Sequence, residues 1–202
     1  MIAIINYGVG NLFSLESSFN AIGQDVKVTS NSEDLIKAER IILPGVGAFE
    51  DAAKKLKSSG LAEPLLEEVK KGKPILGICL GMQLLFSKSF EFGEYEGLNL
   101  IPGSVRYIGE VIPDGLKIPQ IGWNSLQLGV TNEKSIIKNN GEYVYFVHSY
   151  AAFCDEKFIT ATTNYGSDLT AAVQNKNVYG VQFHPEKSGN AGLNILRAFC
   201  EV

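Results

Sequence analysis

The chain has 202 residues, 45% of them hydrophobic, which suits one packed domain over residues 1–202 and argues against disorder. A formal net charge of −4, with Lys and Arg scattered, gives no basis for expecting nucleic acid. No run approaches the ~20 apolar residues of a membrane helix, and the opening "MIAIINYGVGN" is too short and too poor in basic residues for a signal peptide.

The first half alternates. "IAII" is a short apolar run ending in the glycine turn "NYGVGN", so it reads as a buried strand. Leu12, Leu15, Phe19 and Ile22 follow at helical spacing until Gly23. "DVKVT" and "RIILPGVGAF" read as strands, the second stopped by Pro44 and glycines. Helical spacing returns over 49–58 and 61–71. "KPILGIC" is another buried strand, and "GMQLLF" starts a helix. This is the pattern of an α/β fold, a mostly parallel central sheet with flanking helices. Residues 91–103, "EFGEYEGLNLIPG", read as a long loop. The C-terminal half is β-rich, with "SVRYIGEV", "YVYFVHSYAAF", "FITATTNYG" and "LTAAVQNKNVYGVQFH" expected as antiparallel strands or hairpins. "NAGLNILRAFC" closes the chain as a helix.

Three cysteines, Cys79, Cys154 and Cys200, are an odd number at wide spacings, which fits neither a disulfide framework nor a zinc pattern. The cytosol is the compartment they suit, and no metal is expected. "GVGNLF" lacks the third glycine of a dinucleotide fingerprint, and no cofactor is expected.

Cys79 stands at the end of a strand that runs directly into a helix, with Gly77 and Gly81 two positions to either side. Small neighbours permit a sharp strand-to-helix turn that lifts the side chain out of the sheet. The helix start offers N–H donors and a positive end that favour an anionic sulfur. Read alone, Cys79 is equally a small buried hydrophobe. "QFHPEKS" adds the partner groups: His184 follows an apolar strand, Pro185 stops it, and Glu186 is placed to turn back on the imidazole. The other histidine, His148, lies inside an apolar strand with no carboxylate nearby, and reads as a wall of the site or as a competing base. An acyl-transfer site needs N–H donors for a developing oxyanion. Leu80 offers one and "PGVG" at 44–47 a second, unless the latter is an ordinary turn.

Cys79 within "GICLGMQ", with His184 and Glu186 within "HPEKS", resembles the class I (triad) glutamine amidotransferases, whose fold is flavodoxin-like. "NYGVGN", "LPGVGAF", "IPQIGWN" and "YFVHSY" narrow the resemblance to the glutaminase subunits of histidine biosynthesis, over residues 6 to 189. The resemblance implies that Cys79 attacks the side-chain amide of glutamine, that His184 is base and then acid, and that Glu186 orients it. It implies oxyanion donors at Val46 and Leu80, with Gly47, Gln83, Glu91, Ser149 and Tyr150 around the glutamine. The implied partner is a (β/α)8-barrel cyclase subunit, joined as a heterodimer, that uses the ammonia to make imidazole glycerol phosphate. Asn11, Tyr145 and Lys187 then lie at the docking face. Asn6 stands where much of the family has Asp, outside the triad. Rival readings are a reactive-cysteine protein of the same fold, which lacks His-Pro-Glu, and a non-catalytic scaffold, which has no need of an intact triad.

Overall fold

The computed structural model describes residues 1–202. In chain order its first elements are strand β1 (Ile2–Ile5), helix α1 (Leu12–Ala21), β2 (Val26–Thr29), α2 (Ser32–Lys37), β3 (Arg40–Leu43), α3 (Phe49–Ser58), α4 (Ala62–Lys70), β4 (Ile75–Ile78) and α5 (Leu80–Leu84). Then come β5 (Phe86–Ser89), β6 (Tyr95–Glu96), β7 (Ile101–Tyr107), β8 (Gln120–Ser125), β9 (Gln127–Leu128), β10 (Tyr143–His148) and β11 (Tyr150–Phe153). The chain ends with β12 (Ile159–Asn164), β13 (Asp168–Asn175), β14 (Val178–Val181) and α6 (Gly189–Cys200).

Eight strands form the central sheet in the order β2-β1-β3-β4-β14-β13-β12-β9. The first five run parallel, and β13, β12 and β9 extend the sheet antiparallel. The parallel part has the strand order of a flavodoxin-like sheet, in which ligands bind outside the carboxyl ends of the strands. The segments that leave those ends are 6–11, 44–48, Cys79 and 182–184. Beside the sheet lie a β11-β7-β5-β6 sheet and a β10-β8 ribbon.

Strand alternation builds a core on each face. Ile2, Ile4, Ile42, Leu76 and Ile78 pack with Leu15 and Phe19 of α1 and with Ile195, Leu196 and Phe199 of α6. Ala3, Ile5, Ile41, Leu43 and Ile75 pack with Phe49 and Leu56 of α3 and with Leu65 and Val69 of α4.

Three local expectations needed revision, and one expected helix is short. Helix α2 falls where the sequence reads only as a connection. It is one capped turn and a half: Asn31 Oδ1 accepts from Glu33 N at 2.9 Å, and Leu35 is its one buried residue. The helix begun by "GMQLLF" stops at Leu84, because Leu98 N and Leu100 N donate to the Leu84 and Leu85 carbonyls, each at 2.8 Å, and draw the chain into β5. The segment 91–103 holds β6 and the start of β7 rather than a plain loop. The β-rich half is not wholly antiparallel, since β14 pairs parallel with β4 and β7 with β5.

At the β4–α5 junction, a Cβ added to Gly77 would stand 2.6 Å from the Gly81 carbonyl oxygen and 2.7 Å from Met82 N. Both neighbours are backbone and cannot swing away. Gly77→Ala is expected to destabilise the protein by at least about 2 kcal/mol, read as a lowered melting temperature. An unchanged melting temperature would mean that α5 can shift off β4.

Candidate active site

Cys79 joins β4 to α5 with φ 54 and ψ −113, a conformation that side chains larger than glycine rarely adopt. Its N–H donates to Val181 O at 2.8 Å and its carbonyl accepts from Gln83 N at 3.2 Å, so both neighbouring elements hold the turn. A side chain on Gly81 would overlap the Leu43 carbonyl, which is why α5 can start this close to β3.

The residues after β14 approach from the other side. His184 Nδ1 donates to Glu186 Oε1 at 2.8 Å, and the two side chains are 3% and 1% exposed. That bond fixes the tautomer and leaves Nε2, buried and with no other partner, for the thiol. Burial pulls the His184 imidazole down, but Cys79 and Glu186 together outweigh it and raise it to about 10. The turn is held by Ser188, whose Oγ donates to His184 O at 2.6 Å and accepts from Tyr145 N at 3.0 Å.

His148 has a different environment. Its Nδ1 donates to Tyr150 O at 2.9 Å, and Nε2 lies 2.9 Å from the Gln120 side-chain amide. Burial lowers the imidazole to about 4, so it is neutral near pH 7. A neutral ring protonated at Nδ1 needs a donor at Nε2, which Gln120 supplies with its NH2 end turned to the ring. The opposite orientation leaves Gln120 Nε2 a buried donor without a partner. With both nitrogens engaged, His148 is a wall.

Val46, Gly47, Leu80, Gln83, Glu91, Ser149, Tyr150 and Lys187 share with Cys79 and His184 one cleft of about 900 Å³. Glu186 sits behind His184 rather than in the cleft, and Tyr145 and Asn11 lie outside it. Asn11 caps α1, its Oδ1 accepting from Ser14 N at 3.4 Å. Glu91 Oε2 accepts from Phe49 N at the start of α3 at 2.6 Å; burial raises its carboxyl against that bond. Lys187 Nζ stands 5.6 Å from the Tyr145 ring, which packs on Trp123 at 4.9 Å.

Some residues here escape sequence reasoning. Phe92 and Tyr107 flank Tyr150 at the cleft mouth, with ring centroids 6.0 and 5.6 Å away. Gln182 is fully buried between Gln83 and Cys79. Sequence gives no direct signal for it: Gln182 lies just past the end of β14, where the chain bends and strand alternation no longer says which way a side chain leaves. No cluster of three or more His, Cys, Asp or Glu side chains could hold a metal ion, and no helix is long and apolar enough to cross a membrane.

The fold and this site define a class. A family model described as "Glutamine amidotransferase class-I" matches residues 3–201. Solved structures share the fold over the whole chain at low identity. A crystal structure of a glutamine amidotransferase aligns with TM-score 0.77 at 18% identity, over 100% of this chain and 98% of that one. PurLQS from Thermotoga maritima aligns with TM-score 0.74 at 19% identity, over 99% and 97%.

Among curated proteins, the imidazole glycerol phosphate synthase subunit HisH of Caldanaerobacter subterraneus subsp. tengcongensis is 50% identical over 100% of this chain and 98% of its own length. HisH of Methanothermobacter thermautotrophicus is 48% identical over 100% and 98%. The chain is a glutamine amidotransferase and belongs, within that class, to the HisH family.

The two histidines respond oppositely to acid. His184, raised, is charged in the folded and unfolded chain alike below about pH 6. His148, lowered from 6.5 to about 4, contributes stability that is present above pH 6.5 and lost as the pH falls towards 4. Its share is about 3 kcal/mol. Urea unfolding of the native chain and of His148→Gln at about pH 7 and about pH 4.5 reads this directly. The native chain is expected to lose more stability on acidification than the variant; equal losses would mean that His148 is solvated.

Proposed function

We propose that the chain hydrolyses glutamine to glutamate and ammonia through Cys79, His184 and Glu186, with Val46 and Leu80 as oxyanion donors. The observation that carries this is the meeting of a positive-φ cysteine with a histidine held at 2.8 Å by a buried carboxylate. His184, beside the sulfur and paired with Glu186, takes the thiol proton and is held in its charged form.

The sulfur attacks the side-chain carbonyl carbon of glutamine, and the carbonyl electrons move onto oxygen. The Leu80 N–H opens a helix and has no partner in that helix, so it is free to receive the oxyanion. Collapse re-forms the carbonyl and breaks the C–N bond while His184 gives its proton to the departing nitrogen. Ammonia leaves a thioester. His184, now neutral, takes a proton from water as that water attacks; the C–S bond then breaks and glutamate is released. Glu186 holds the ring through both halves without transferring a proton. Gln83 and Glu91 suit the ammonium end of the substrate, with Gly47, Ser149 and Tyr150 around it.

We read the ammonia as passing, in the cytoplasm, to a (β/α)8-barrel cyclase subunit that makes imidazole glycerol phosphate for histidine biosynthesis. Relatives named as subunits of that synthase support this partner. So does an exposed apolar face next to the His-Pro-Glu turn: Phe13 is 78%, Trp123 63% and Ile121 61% exposed, beside Tyr145, Lys187 and the α1 start at Asn11.

Val46 is the control point in this reading. Its N–H bonds to nothing in the chain. That N–H belongs to the Gly45–Val46 peptide, and residue 45 must be glycine, since a Cβ there would stand 2.6 Å from Gly81 N; glycine gives this peptide its freedom to turn. A turn of the peptide at Val46 can thus bring in or withdraw one donor, a change worth on the order of 10²–10³ in kcat.

Steady-state glutaminase kinetics test the whole. Cys79→Ala and His184→Ala are expected to fall to background and Glu186→Gln to lose less. Adding the cyclase subunit with its nucleotide ligand should raise kcat by roughly 10²-fold or more with little change in KM. Activity surviving in Cys79→Ala would refute the nucleophile, and full kcat in the isolated chain would refute the control at Val46.

A further inference from the structure

Two side-chain amides link one backbone carbonyl to the Cys79 sulfur in a single chain of hydrogen bonds. Gln83 Nε2 donates to Tyr150 O at 3.0 Å and to Gln182 Oε1 at 3.0 Å. Gln182 Nε2 faces Cys79 Sγ at 3.8 Å. An amide can be turned end for end, but a backbone carbonyl only accepts. Tyr150 O therefore fixes Gln83 with its NH2 end towards the carbonyl. The second hydrogen of that NH2 requires an acceptor, which fixes Gln182 Oε1 towards Gln83. What remains of Gln182 is its NH2, and that end lies against the sulfur. Gln83 is left with its oxygen unbonded, on the wall of the cleft.

We infer that Gln182 is a positioning residue that serves two groups at once: it donates to the Cys79 sulfur in its anionic form, and it holds Gln83 so that the Gln83 carbonyl oxygen is offered to the ammonium of the amino-acid substrate. This deepens the reading of Cys79 as the nucleophile and rests on it. Gln182 has no exposed surface and Gln83 is 5% exposed, so water cannot substitute for either bond. A hydrogen bond to a buried anion favours the charged form. The 3.8 Å separation is long for N–H···S, as bonds in unliganded sites often are before they tighten on the substrate. The backbone keeps the side chain in place, because Gln182 N donates to Ala171 O at 2.8 Å. The chain also explains why a glutamine, a poor choice for a dry core, stands here between Val181 and Phe183: each end of its amide has a specific partner.

Two variants separate the functions. Gln182→Glu keeps an acceptor for Gln83 but offers the sulfur no donor and adds a negative charge. Gln182→Met keeps the volume and removes both bonds. The readout is the pH profile of Cys79 alkylation by iodoacetamide in the full chain, mapped by peptide mass, together with the split between KM and kcat for glutamine in the presence of the cyclase subunit. The other titratable groups around the sulfur, His184 and Tyr7, and those further along the cleft, His148, Glu91 and Lys187, are the same in all three proteins. A displaced profile therefore belongs to Gln182.

Both variants are expected to move the alkylation profile to higher pH by about one unit, Gln182→Glu the further. Gln182→Met should raise KM by roughly tenfold, whereas Gln182→Glu should lose kcat with KM held within about threefold. If Gln182→Glu fails to fold, the Met variant alone decides. An unmoved profile in a folded Gln182→Met protein, or equal KM in the native and Met proteins, overturns the assignment, whatever the melting temperature does. Cys79→Ala is carried alongside: should it still hydrolyse glutamine, the reading of the nucleophile fails instead.

Discussion

The site depends on one unfavourable backbone conformation. Cys79 is held at φ 54 between β4 and α5, at a cost of order 1–3 kcal/mol. The surroundings over-determine it. The hydrogen bond from Cys79 N to Val181 O continues the β4–β14 ladder one residue past the last strand pair, and the first bond of α5 returns from Gln83 N to Cys79 O. Gly77, Gly81 and Gly45 let three backbones come together around the turn at distances no side chain would permit. The strain lifts the sulfur off the sheet towards the segment that follows β14. Because β4 and β14 are neighbours in the sheet, that segment brings Gln182 Nε2 to 3.8 Å from the sulfur and carries His184 two residues further on.

Around this point the polar groups are arranged by hard acceptors. The Tyr150 carbonyl receives both His148 Nδ1 and Gln83 Nε2, and so sets one histidine and one glutamine by a single backbone atom. The Glu186 carboxylate sets the other histidine. The outcome is two imidazoles of opposite character in one cleft: His148 buried, doubly engaged and neutral, His184 paired with a carboxylate and charged. Environment, not residue type, divides their roles.

Much of this was legible in the sequence. The α/β alternation, the parallel sheet and the antiparallel extension follow from apolar runs punctuated by glycine and proline, because the inner strands β1, β3, β4 and β14 are buried on both faces. Cys79 between glycines and His184 before Pro185 and Glu186 were readable because chemistry there demands residue types at fixed spacing. Elements set by long-range pairing were not. Helix α2 has one buried residue and so no periodicity to read. Strand β5 exists because the 98–101 segment captures the carbonyls at the end of α5, a contact no local window contains. Gln120 and Gln182 look in sequence like polar residues in strands, and only their partners across 28 and 99 residues give them meaning. Trp123, the single tryptophan, stood inside a motif used for its resemblance; its exposure beside Tyr145 needed the β8–β10 ribbon to appear.

The three thiols differ as the elbow requires. Burial pushes Cys154 and Cys200 up to about 11, so both stay protonated near neutrality, while Cys79 alone faces a charged imidazole in an open cleft. The most direct measurement is covalent: treat the native chain near neutral pH with a glutamine analogue that carries an electrophilic ketone in place of the side-chain amide, and map the adduct by mass. The account expects one adduct, on Cys79, suppressed by excess glutamine. Modification of Cys154 or Cys200, or labelling of Cys79 that glutamine does not slow, would contradict it.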